Sequence, residues 1–161
     1  MGSRVWRIGL AMAASACLGC GGGRAASIRA TLVVSGVDLT CSSPQPDATC
    51  TITSRLGLTV SEDAGRDVHL ALLSTVVTDT RGMQDMQATP GQLSSEDIAR
   101  AAGSAMVPGR GQLPVPLVLT FSIQEPYILG PLKASVHVRG VDGNANVVES
   151  DCSATYAAPA R

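Results

Sequence analysis

The chain has 161 residues and a formal net charge of −1, from 12 basic and 13 acidic side chains. That balance, with a single lysine at Lys133, excludes the basic patch that nucleic-acid binding requires. Beyond residue 20 the only aromatic side chains are Phe121, Tyr127 and Tyr156, poor equipment for stacking on sugars or bases.

The N-terminus has three zones. Arg4 and Arg7 are positive, Ile8 to Leu18 is apolar or small, and Gly19, Cys20 and three glycines follow. A positive start, a short apolar core and small residues at the exit form the secretory pattern. The apolar run is too short for a membrane span, which needs about twenty residues, and no later stretch approaches one. Leu18-Gly19-Cys20 followed by glycines resembles the lipobox of bacterial lipoproteins. The resemblance implies that Cys20 receives a lipid and becomes the mature N-terminus, so that the membrane is a partner through that lipid. Cys17, after Ala14-Ser15-Ala16, is the rival position. Cys20 is preferred because it leaves the longer apolar core and a flexible glycine tether. Ordinary cleavage, giving a periplasmic or secreted protein, is the alternative. Without Arg4 and Arg7 the exported part carries a net charge of about −3.

The boundaries that follow are a signal peptide over 1–20, a tether over 21–27, one domain over 28–156 and a tail over 157–161. Within the domain the hydrophobic pattern has period two, the strand signature. Ile28, Ala30, Leu32 and Val34 share one face. Cys50, Ile52, Leu56, Leu58 and Val60 share another, opposite Thr51, Thr53, Arg55 and Thr59. Val68 to Val77 is apolar on both faces and suits a central strand. Ser94 with Asp97 three residues on predicts a capped helix, with Ile98, Ala101 and Ala102 towards the core and Gly103 as its stop. Leu113 to Ile123 is the longest alternation. Leu132, Ala134, Val136 and Val138 alternate with Lys133, Ser135, His137 and Arg139, and Val148 to Tyr156 is a last, weaker strand.

Ser61 to Gly65, Pro108 to Gly111 and Asp142 to Asn146 read as turns, the last because Gly and Asn accept positive φ. About seven strands and one short helix predict an all-β antiparallel sandwich. The turn, strand and hairpin pattern from Val107 to Val148 resembles the immunoglobulin-like domains of bacterial surface proteins.

Cys41, Cys50 and Cys152 remain after cleavage at Cys20, and an oxidising compartment makes a disulfide the expectation. In an immunoglobulin-like order, Cys41 ends the first strand, Cys50 begins the second, and Cys152 reaches the same end. Cys41–Cys50 is slightly favoured, with Cys152 as an alternative partner for either. His69 and His137 lack an accompanying nucleophile elbow, phosphate loop, dinucleotide fingerprint or zinc-protease motif. Asp142, Asn144 and Asn146 have the alternate spacing of a calcium loop, but Val147 and Ser153 stand where its glycine and final acid belong, so a plain hairpin is favoured. Glu62, Asp63 and Asp67 read as a solvated acidic loop. No catalytic residue, metal or cofactor is assigned. The function expected is non-enzymatic binding or envelope structure; the alternative is a carrier holding a small apolar ligand between the sheets. A histidine in reach of both a serine and a carboxylate would favour an enzyme, and a deep apolar cavity the carrier.

Overall fold

A computed structural model describes residues 25–42, 49–124 and 130–159. Cys17 and Cys20 lie outside the described residues. The described elements are β1 (Ile28–Cys41), β2 (Thr49–Glu62), β3 (Val68–Asp79), β4 (Gln84–Met86), β5 (Gln92–Ser94), α1 (Ser95–Ala102), β6 (Met106–Val107), β7 (Gln112–Gln124), β8 (Leu132–Asp142) and β9 (Val147–Tyr156). The six long strands are the five alternating runs of the sequence and the two-sided apolar segment from Val68 to Val77. The short β4, β5 and β6 carry too few residues to show a period.

The strands form two antiparallel sheets. One has the order β1-β2-β7 and the other β4-β3-β8-β9, with β5 and β6 also pairing with β3. This is an immunoglobulin-like β-sandwich in which β1, β2 and β7 face β3, β8 and β9, and β4, β5, α1 and β6 lie between β3 and β7 in the chain. β3 is central, as its two-sided apolar character predicts, with β8 on one side and the three short strands on the other. Ile52, Leu58, Leu70, Leu73, Ile98, Leu119 and Leu132 are fully buried between the layers. Each removes enough apolar surface from water to contribute roughly 1.5–3 kcal/mol.

Sheet edges are closed by local chemistry. Thr120 exchanges backbone hydrogen bonds with Thr89 at 2.8 and 2.9 Å, so its N–H and C=O point away from β2. Period two then puts Pro114 and Pro116 at the same outward positions. Proline has no N–H, so this edge offers few donors to a foreign strand. β1 is covered over its first half by β9. The Ala30 amide donates to Ser150 Oγ at 3.1 Å, and Tyr156 Oη meets Ser54 Oγ at 2.9 Å.

α1 begins as expected. Ser94 Oγ accepts from the Asp97 amide, and the Asp97 carboxylate returns a bond to the Ser94 amide at 3.1 Å. Gly103 ends the helix at φ 79°. The buried face differs from the expectation: Ala99 and Ala102 flank Ile98 against the core, and Ala101 is exposed. Ser94→Ala should cost about 1 kcal/mol in urea-induced unfolding, the loss typical of an N-cap serine. A change below a few tenths would show that packing of Ile98 alone holds the helix.

Two buried carboxylates organise chain reversals here. Glu62 is 1% exposed, not solvated as the sequence suggested. Its Oε1 accepts from the amides of Ala64 at 2.8 Å and Ser27 at 3.3 Å, and its Oε2 from Gly65, Arg66 and Arg110 at 2.8, 3.1 and 3.1 Å. Burial opposes its charge, but the amides of Arg110, Ala64, Arg66 and Gly65 win and hold its pKa at about 2. Asp79 Oδ1 likewise accepts from Arg81 and Gly130, both at 3.0 Å. Ala26 is buried and Ser27 is bonded to Glu62, so docking to the domain begins ahead of Ile28.

Candidate functional site

Cysteine pairing is settled by register. Cys41 and Cys50 oppose each other directly in the β1–β2 ladder and form a disulfide with Cα atoms 4.0 Å apart. The expectation that Cys152 reaches the same end does not hold. Ala30 lies beside Ser150, and Ser54, the partner of Val37, meets Tyr156. Cys152 therefore lies alongside the first half of β1, and Cys41 lies beyond the point that Tyr156 reaches. Cys152 is a free, half-buried thiol opposite Val136, and burial and the Asp151 charge raise its pKa. A raised thiol pKa works against reactivity.

The two histidines occupy different settings. His69 Nε2 meets Ser95 Oγ at 2.7 Å, with no carboxylate in the pair. His137 has carboxylates and no serine: Nδ1 lies 2.8 Å from Asp151 and Nε2 3.9 Å from Glu149. Ser74 stands directly opposite His137 in the ladder, but both ring nitrogens face β9 carboxylates. Among the described residues, neither histidine joins a serine to a carboxylate.

Asp142, Asn144 and Asn146 form a self-satisfied turn. Asp142 Oδ1 accepts from the Asn144 and Asn146 amides, each at 2.9 Å, and Oδ2 from Asn146 Nδ2 at 3.1 Å. Those Asn146 and Asn144 bonds outweigh burial and lower the Asp142 pKa. Both carboxylate oxygens serve the hairpin itself. The residue with positive φ is Ala145 at 62°, not the glycine or an asparagine, because the Asp142 side chain fixes the turn.

The arrangement with binding character is the outer face of the β3–β8–β9 sheet. Register puts side chains there in rows of three: Leu72–Arg139–Glu149, Ser74–His137–Asp151, Val76–Ser135–Ser153 and Thr78–Lys133–Thr155. Arg139 Nε lies 3.6 Å from Glu149, so with the His137 pairs the upper two rows form one cross-strand network. Below it is a recess of about 500 Å³, lined by Ser74, Val76, Lys133, Ser135, His137, Asp151 and Ser153, with the edges of Val136 and Cys152. Val76 is 42% exposed, an apolar wall among hydroxyls. A smaller recess of about 300 Å³ lies by the β7 edge, between Thr51, Gln87, Thr89, Thr120, Phe121 and Ser122. Both open on outer surfaces.

The β8 half of the large recess is legible as the polar side of one alternating strand. Its β3 wall is not, because no local pattern gives register between strands distant in sequence, and its β9 wall depends on the conformation of the turn that joins β8 to β9. Glu62 was missed for a related reason: its partners come from three segments.

No family model and no curated protein matches the chain. Among solved structures it is similar to the X-ray structure of Northeast Structural Genomics Consortium target SoR45, at 12% identity and a TM-score of 0.49, over 83% of this chain and 88% of that one.

Proposed function

We propose that the chain is a non-enzymatic binding domain, exported and held at the bacterial cell envelope by a lipid on Cys20, which presents the outer face of β3–β8–β9 to a partner. The observation that carries this reading is the Val76–Ser135–Ser153 recess. It is an indented mixture of hydroxyl, apolar and charged groups on a sheet that presents paired charges above it. The disulfide agrees with export, since such bonds persist in oxidising compartments. Among the described residues, leucine, isoleucine and valine side chains of both sheets pack together in one core, which supports a binding surface on the outside over one between the sheets.

A photo-crosslinking residue at Ser153 should capture an envelope component, and the same residue at Thr59, on the opposite sheet, should not. Equal capture from both positions would remove the face from consideration. Anchoring is tested separately. Cys20→Ser should abolish lipid labelling and release the protein from membranes. Labelling lost only in Cys17→Ser would move the anchor to that residue. A membrane fraction unchanged in both would end the lipoprotein reading.

A further inference from the structure

We propose that the recess on the β3–β8–β9 face binds the carboxylate of a peptide C-terminus, with Lys133 as its counter-charge and Ser135 and Ser153 as hydrogen-bond donors. The inference rests on the reading of that face as the binding surface and names the chemistry it would select.

The first observation concerns charge. Lys133 is the only lysine of the chain, and it is exposed at one end of the recess with no ion pair or hydrogen bond among the described residues. The other basic side chains on this face are committed: Arg139 to Glu149, and His137 to Asp151. The nearby acids are committed too. Asp151 is held by His137, and Asp85 accepts from Thr78 Oγ1 at 2.7 Å. Lys133 keeps its positive charge without a partner among the described residues.

The second observation concerns donors. Ser135 and Ser153 are direct cross-strand partners in the row next to Lys133, and Ser74 lies one row further on. None of the three hydroxyls has a hydrogen-bond partner among the described residues. Directly opposed residues hold their Cβ atoms about 4.5–5.5 Å apart, a gap that one carboxylate can bridge with its two oxygens. An ammonium and two hydroxyls then supply a charge-assisted set for an acceptor-only group. Val76 gives apolar contact to the carbon that carries the carboxylate. Asp151, beyond Ser135, sets the polarity: it repels a second anion and favours a ligand with an N–H at that end.

The test is an NMR titration of the isotope-labelled full chain with N-acetylglycine, against the neutral N-acetylglycinamide, at constant ionic strength. The single lysine gives one side-chain signal to follow. The carboxylate probe should produce saturable shifts at Lys133, Ser135 and Ser153, and the neutral probe should not. Lys133→Gln should weaken binding at least about tenfold, and Lys133→Arg should retain most of it. Ser135→Ala with Ser153→Ala should weaken binding severalfold with Lys133 intact. No saturable shift, equal shifts with both probes, or unchanged binding in Lys133→Gln would overturn the proposal. Partner capture from Ser153 together with any of those results would keep the face as a binding surface and remove only the carboxylate.

Discussion

Glu62→Gln should lower the unfolding free energy at pH 7 by roughly 2–4 kcal/mol, because it breaks a buried acceptor site that nothing else can fill. Both carboxylate oxygens receive backbone amides: Ser27 and Ala64 on one, Gly65, Arg66 and Arg110 on the other. Glutamine supplies one carbonyl, and its NH₂ group must face amide donors on the other side. The same contacts predict the acid response. The pKa of Glu62 is about 2 in the folded chain against an ordinary 4.5. A carboxylate whose pKa is lowered by folding stabilises the fold above its unfolded pKa, and that contribution fades as pH falls from about 5 to about 2. The loss is on the order of 3 kcal/mol, from the 1.4 kcal/mol that each pKa unit represents. Urea unfolding at pH 7, 4 and 3 should show a steep acid decline in the native protein and a flatter one in Glu62→Gln. Equal declines would place the acid sensitivity elsewhere.

Loss of the Cys41–Cys50 bond should cost about 2–3 kcal/mol, most of it through the unfolded chain. The bonded residues are 9 apart in sequence, and closing so short a loop restricts the unfolded ensemble by about that amount. The Cys41→Ala, Cys50→Ala double variant should show it as a lower denaturation midpoint, with a slope no shallower than that of the native protein because the released unfolded chain exposes more surface. Hydrogen exchange should accelerate in Leu39 to Cys41 and Cys50 to Ile52, and the β3–β8–β9 sheet should keep its protection. Cys152→Ser should leave the mapped disulfide intact. Peptide mapping that found Cys152 bridged to Cys41 or Cys50 would contradict the register.

The sequence by itself determined the six long strands, the helix and most of the core, but not the short β4, β5 and β6. Period two along Leu113 to Ile123 and Leu132 to Val138 reports which side chains enter the sandwich, because alternation is a property of one strand. The Ser94–Asp97 box and Gly103 are equally local, and both stand where they were expected. Even the β8 side of the recess, with Lys133, Ser135 and His137 on one face, follows from a single run. Register between separate strands follows from no single run, since it is set by how two patterned faces close over a shared core. Tertiary structure therefore decided that Cys152 lies alongside the first half of β1, away from Cys41. It decided that Ser74 and Val76 stand beside His137 and Ser135, and that both nitrogens of His137 turn to β9. It also decided that Glu62, one acid among three in a polar stretch, is the buried acceptor for amides from residues 27, 64, 65, 66 and 110. Those amides converge only when the β2–β3 turn, the β6–β7 turn and the entry to β1 meet at one end of the sandwich.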